Sequence, residues 1–233
     1  MLHEGLGSIS HWKDFPAQVT ERTGAEVFVY SRQGHGDSGA AVQRRSIRYL
    51  HHEAEIVLPE ILRQAGIERP VLLGHSDGAS IAILYAGMFP ENPRGIILEA
   101  PHVFVEQKAI IGIEHAKRAY ETTDLPQKLA RHHADADALF RAWYSIWLSP
   151  GFRGWNIEEY LGRVHCPVLM IQGIDDEYGT LAQTDAIRAR IPQSELAVLD
   201  NSKHSPHRDQ TEITLDLIAK FVARVSVFEI GCA

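Results

Sequence analysis

Cysteine is scarce in this chain. Cys166 and Cys232 are the only two in 233 residues, and they form no spaced framework of the kind that staples small secreted domains. Long apolar runs are absent too. No stretch reaches the roughly 20 residues that span a bilayer, and no basic-then-apolar leader opens the sequence. Membrane association is therefore not expected, and a reducing cytoplasm is the expected location. Charge of one sign is not concentrated: 23 Lys and Arg are scattered among 30 Asp and Glu, for a formal charge of -7. Without a basic stripe to follow a phosphate backbone, nucleic acid is excluded as a partner. Thirteen histidines are present, yet His-Glu-x-x-His is not, and His51-His52 and His132-His133 lack partners at metal-ligand spacing. Neither a metal nor a cofactor is expected. Internal repeats and low-complexity linkers are missing as well, and oligomeric state leaves no signal.

What is present is a pattern of alternation. With 45% hydrophobic residues the chain can bury one sizeable core. Short apolar or β-branched runs at Glu26 to Tyr30, Val71 to Leu73, Gly95 to Leu98, Val168 to Ile171 and Glu195 to Leu199 predict strands. Between the first two, Ile47, Leu50, Ala54, Val57, Leu58, Ile61 and Leu62 form a helical stripe, with Gly66 placed to end it. Ala79 to Ala86 is apolar nearly all round, as in a buried helix, and Leu217, Ile218, Phe221, Val222 and Val225 mark a closing helix. The expected class is α/β, a mostly parallel sheet flanked by helices. From His102 to about Gly162 the alternation stops and consecutive helices are expected. This predicts a core over residues 1–100 and 164–233 and a helical lid over 101–163, above the carboxyl ends of the strands. Its aromatic residues, Trp143 and Trp147 among them, either line an apolar pocket or pack the lid together.

The chemistry-bearing signal is Val71-Leu72-Leu73-Gly74-His75-Ser76-Asp77-Gly78-Ala79-Ser80: strand, Gly-x-Ser-x-Gly, helix. Such a turn pushes the serine hydroxyl up in a strained conformation. A serine nucleophile needs a base, and the base a carboxylate. In this architecture the chain order is Ser, acid, His. After the fourth run come Asp175-Asp176-Glu177, and after the fifth comes Asp200-Asn201-Ser202-Lys203-His204-Ser205-Pro206-His207. His204 competes with His207, which falls in the first turn of the closing helix. His75 is expected to pack beneath the turn.

These motifs, with Leu2-His3-Glu4-Gly5-Leu6-Gly7-Ser8, Ser31-Arg32-Gln33-Gly34-His35-Gly36-Asp37-Ser38 and Gly173-Ile174-Asp175-Asp176, resemble the α/β-hydrolase superfamily. Within it the chain is most similar to the valacyclovir hydrolase (biphenyl-hydrolase-like) branch. The resemblance implies an eight-stranded sheet, a helical lid and hydrolysis of a small-molecule substrate through an acyl-enzyme. It places the acid three residues after the glycine, at Asp176, leaving Asp175 and Glu177 as exposed loop acids. It also puts the oxyanion-hole N–H groups at Gly5 and Asp77. Here the sequence departs from the family's His-Gly: His3 is followed by Glu4, a carboxylate beside the hole. Glu4 either turns into a structural ion pair or, with Asp77, binds a cation on the substrate. In the resembled branch the acid after the serine accepts the α-amino group of amino-acid esters, and Asp77 matches that position.

The expected activity is thus hydrolysis of a small carboxylic ester, including amino-acid esters, with Ser76, His204 and Asp176 catalytic. The alternatives are cleavage of a carbon–carbon bond in a diketone acid, or ligand binding without turnover. The family's oxyanion loop follows a strand, whereas only Met1 and Leu2 precede His3 here, so a start site placed too late or a fragment, without the N-terminal strands of the family pattern, is the expectation. Val227 to Ala233, after the closing helix, is expected to be a frayed tail.

Overall fold

A computed structural model of the chain describes residues 1–40 and 45–227. The expected tail after Val227, Cys232 included, lies outside them. Among the described residues four strands, β1 (Val71–His75), β2 (Gly95–Glu99), β3 (Val168–Gly173) and β4 (Glu195–Leu199), form one parallel sheet in chain order. Each neighbouring pair is in parallel register, with Leu73 opposite Ile97, Ile97 opposite Leu169, and Gly173 opposite Leu199.

Helices cover both faces, because successive strand residues point to opposite sides. Leu72, Ile96, Leu98, Val168 and Met170 share one cluster. It includes residues from the helical run α2 (Tyr49–His52), a π turn (Glu53–Val57) and α3 (Leu58–Gln64), from α4 (Asp77–Met88), and from the helices between β2 and β3. Those are α5 (Gln107–Thr122), α6 (Leu125–Ala130), α7 (Ala136–Trp147) and α8 (Glu158–Leu161). The alternate residues Leu73, Ile97, Leu169 and Ile171 join Trp12, Phe15, Val19, Leu215, Ile218, Phe221 and Val225 on the other face. That face is closed by α1 (Phe15–Thr23) and α11 (Thr211–Val227). α9 (Leu181–Arg190) crosses from β3 to β4, and the short α10 (Pro206–Asp209) follows the loop after β4. Each buried Leu or Ile contributes about 1.5–3 kcal/mol, and both sides of the central strands collect it.

Three expectations change, the first being that the sheet has four strands among the described residues where the resemblance implied eight. Glu26 to Tyr30 forms no strand. Its neighbours toward β1 are Met1, whose amino group donates to Phe28 O at 2.6 Å, and Leu2, which makes a single parallel bridge to Gly74. The predicted stripe does become a helix, ended as expected by Gly66 at φ 67° with the Ile67 N–H on Leu62 O. A π turn interrupts it just before Pro59, whose ring clashes with the carbonyl four residues back and opens the helix there. Ile47 falls outside that helix and is 52% exposed.

The turn after β1 dictates its own sequence. Ser76 has φ 55° and ψ −114°. A Cβ on Gly74 would lie 2.3 Å from Gly78 O, and one on Gly78 would lie 2.1 Å from Leu2 O. Backbone meets backbone at both, so no side chain can give way. Gly78→Ala is expected to cost at least about 2 kcal/mol by overpacking, read as a lower urea midpoint. Gly154→Ala, whose Cβ would meet nothing within 4 Å, should leave that midpoint within error.

Candidate active site

Ser76, Asp176 and His204 stand at the carboxyl ends of three different strands. Ser76 follows β1 and enters α4; its N–H donates to Glu99 O on β2 at 2.9 Å. Asp176 lies in the turn after β3, and His204 in the loop between β4 and α10. The structure brings them together: His204 Nε2 is 2.9 Å from Ser76 Oγ, and His204 Nδ1 is 2.9 and 3.0 Å from the two Asp176 oxygens.

Asp176 is buried at 2% exposure, and its lone pairs are filled. The Tyr178 and Gly179 N–H groups donate to Oδ1 at 2.7 and 3.1 Å, and Gln172 Nε2 donates to Oδ2 at 2.7 Å. Burial pushes this carboxyl up, but the charge and hydrogen bond of His204, aided by the Tyr178 N–H and Gln172, outweigh it and bring it down to about 2. Burial likewise pushes His204 down. Asp176, by charge and hydrogen bond, then Glu4 and Glu177, reverse that and leave the imidazole above its ordinary value. Asp175 and Glu177 are exposed, as expected of loop acids, although Glu177 Oε2 accepts the His204 N–H at 3.2 Å. His207 is not at the site; it pairs with Glu99 on β2.

Gly5 lies beside Asp77, the residue after Ser76: a Cβ on Gly5 would fall 3.3 Å from Asp77 Oδ2. Among the described residues their N–H groups meet no protein acceptor, which is the state an oxyanion hole requires before substrate arrives. Asp77 also opens α4, so the positive end of that helix faces the same point. The loop carrying Gly5 is braced by Arg32 and His133, neither of which had a role assigned from the sequence, with His35 beside it. Arg32 Nη2 donates to Glu4 O at 2.8 Å and to His3 O at 3.3 Å. His133 accepts the Gly36 N–H at Nδ1 (2.9 Å) and so donates from Nε2 to Leu6 O (2.8 Å). His35 Nε2 lies 3.2 Å from Gly5 O.

The two carboxylates next to Gly5 and Ser76 have different surroundings. Asp77, 1% exposed, accepts the Tyr49 hydroxyl at 2.9 Å and faces Arg32 at 3.6 Å, Arg45 at 3.8 Å and His102 at 3.8 Å. Its charge is compensated from within the fold. Glu4 forms no ion pair among the described residues; its Oε2 accepts the Leu6 N–H at 2.7 Å, closing its own loop. Both line a cavity of about 200 Å3 above Ser76 and His204, together with Phe104, Ile113, Trp143 and Trp147. Trp143 also seals the Gly5 loop, since a Cβ on Gly5 would lie 2.5 Å from its Nε1. Trp147 packs on His102 with ring centroids 4.8 Å apart. No motif marked Arg45 or Tyr49 in the sequence, and Arg32, inside the Ser31 to Ser38 motif, had no role assigned to it.

No helix among the described residues is long and apolar enough to cross a membrane. The family described as Hydrolase_4, serine aminopeptidase S33, matches residues 1–211. A proline iminopeptidase of Saccharolobus solfataricus is 25% identical, over 96% of this chain and 84% of its own. An sn-1-specific diacylglycerol lipase of Mus musculus is 23% identical, over 95% and 80%. Among solved structures, a carboxylesterase from the thaumarchaeon Nitrososphaera gargenis superposes with a TM-score of 0.76 at 21% identity, covering 97% of this chain and 89% of that one. The fold is the α/β-hydrolase fold, as the motifs implied.

The electrostatics have a checkable sign. In an NMR titration the His204 ring is expected to change charge above the ordinary histidine value of about 6.5. Asp176→Asn removes the largest upward influence and leaves burial dominant, so the transition should fall below that value.

Proposed function

The chain belongs to the serine aminopeptidase S33 (Hydrolase_4) family of α/β hydrolases, and from that premise we propose that it cleaves small carboxylic esters through an acyl-enzyme on Ser76. The observation that carries this reading is the continuous contact from Ser76 Oγ through the His204 imidazole to the Asp176 carboxylate. As the hydroxyl attacks the acyl carbonyl, His204 Nε2 takes its proton. Asp176 keeps the ring in the Nδ1–H tautomer and stabilises the imidazolium that forms. The N–H groups of Gly5 and Asp77 receive the oxyanion. His204 then protonates the leaving alcohol, and a water activated by the same ring releases the acid. No step calls for a cofactor.

In this reading the helices of residues 101–163 act as a lid. Phe104, Ile113, Trp143 and Trp147 from that segment meet Glu4 and His204 from the core around the cavity. The small volume favours a short acyl group over a long chain. A cationic acyl group, such as that of an amino-acid ester, is the finer part of the proposal and agrees with the resemblance to the valacyclovir hydrolase branch. Glu4 supports it better than Asp77, because two guanidiniums already face Asp77.

Ser76→Ala is expected to lower ester turnover by about 10⁴-fold or more and to abolish labelling by a fluorophosphonate probe, which wild type should take up. Retained turnover in that variant would mean a different nucleophile. For the cation, an amino-acid ester should outpace its N-acetylated twin, and Glu4→Gln should raise KM for the free amine by about tenfold, the equivalent of 1.4 kcal/mol. Equal rates for the two esters would sink this finer part alone.

A further inference from the structure

Behind Ser76 and His204 lies a second imidazole–carboxylate couple that the proposed mechanism leaves unused. His207 Nδ1 is 2.7 Å from Glu99 Oε2, and the same oxygen accepts the His207 backbone N–H at 3.2 Å. Glu99, at the end of β2, is fully buried, and His207 in α10 is buried with it. His75 stands between this couple and the site. Its ring centroid is 5.0 Å from that of His207 and 5.2 Å from that of His204. Trp12 closes the enclosure, with its ring 4.8 Å from His207 and 6.3 Å from His75.

The contact that matters joins His75 Nε2 to the backbone carbonyl oxygen of His204 at 2.7 Å. A carbonyl only accepts, so Nε2 carries the hydrogen. Burial first, then the facing rings of His207 and His204 and the Arg208 guanidinium, hold His75 well below the ordinary histidine range. The ring is therefore neutral, with its one proton at Nε2.

We propose that His75 is a positioning residue: its Nε2–H ties the main chain of His204 to the residue preceding Ser76 and thereby sets the distance between nucleophile and base. The Glu99–His207 couple anchors the far end of the same loop. This rests on the reading of Ser76 and His204 given above. The geometry supports it by comparison with the other side-chain ties to the main chain of Lys203 and His204. Lys203 N donates to Asp209 Oδ2 and His204 N donates to Glu177 Oε2, but both acceptors belong to exposed residues. Among these ties to the main chain of Lys203 and His204, the His75 tie is the one whose side chain is buried, where water does not compete and a hydrogen bond is electrostatically stronger. It also runs straight from the elbow to the base, with no intervening side chain. An error of 1 Å in such a pair costs about 100-fold in rate.

Two amides test it. The Gln Nε2 can occupy the place of the imidazole Nε2, whereas the Asn Nδ2 falls short of the carbonyl. In the full chain, assayed on a simple ester, His75→Gln should recover most of the turnover. His75→Asn should lose about 10- to 100-fold in kcat with KM nearly unchanged, react correspondingly slower with a fluorophosphonate, and melt close to the Gln variant. Equal kcat in the two variants, or losses that track Tm alone, would overturn the proposal. A measurement on the unmutated protein guards against misfolding: ¹⁵N NMR should show His75 neutral with its proton on Nε2, and a proton on Nδ1 refutes the tie. Ser76→Ala keeps the two ideas apart, since activity surviving there removes the nucleophile assignment, while His75 is judged by the Gln/Asn contrast.

Discussion

At Ser76 the chain leaves β1 with φ 55°, in a region where a non-glycine residue costs about 1–3 kcal/mol, and the surrounding contacts hold it there. The Ser76 N–H is taken by Glu99 O on the neighbouring strand, and Ala79 and Ser80 return their N–H groups to Ser76 O. Gly74 and Gly78 let the strand, the helix and Leu2 approach to distances that no Cβ would permit. The strained turn carries the hydroxyl above the sheet edge, where the loops after β3 and β4 also end. Parallel strands in register make those ends coincide, so one backbone conformation and one sheet together assemble three side chains distant in sequence.

Charge is distributed around that point with a clear division. Asp176 and Asp77 are both buried, and both are compensated: Asp176 by hydrogen bonds from backbone N–H groups, Gln172 and His204, and Asp77 by the Tyr49 hydroxyl and the charges of Arg32 and Arg45 at 3.6 and 3.8 Å. A buried carboxylate left unpaired is costly, so each pairing is also a constraint on neighbouring elements. Arg32 illustrates this, since it faces Asp77 on α4 while donating to the carbonyls of His3 and Glu4. The loop that offers the Gly5 N–H is thus registered against the helix that offers the Asp77 N–H. Glu4 is the carboxylate left to face the cavity without a cationic partner among the described residues.

Much of the frame was legible because it follows from periodicity. The runs at Val71, Gly95, Val168 and Glu195 each became a strand, and the stretch from His102 to Gly162 became consecutive helices as its pattern indicated. The run at Glu26 misled because β-branched composition says nothing about whether a partner strand lies alongside. The π turn at Glu53–Val57 was hidden behind a regular stripe, although Pro59 was the available signal. His133 and Arg45 were illegible for another reason: they act on groups far along the chain, and their own neighbours carry no motif, while the motif that contains Arg32 named no partner for it.

By itself the sequence determined the order of elements, the glycines that admit a serine at positive φ, and the succession of Ser76, Asp176 and His204, because local sterics and hydrophobic period are properties of short segments. Which carboxylate faces the cavity, which histidine pairs with which acid, and how the His204 loop is tied to β1 were decided only by the tertiary structure. Those outcomes depend on distances between residues from 28 to 129 positions apart, and such distances exist only once the sheet has aligned the ends of its strands.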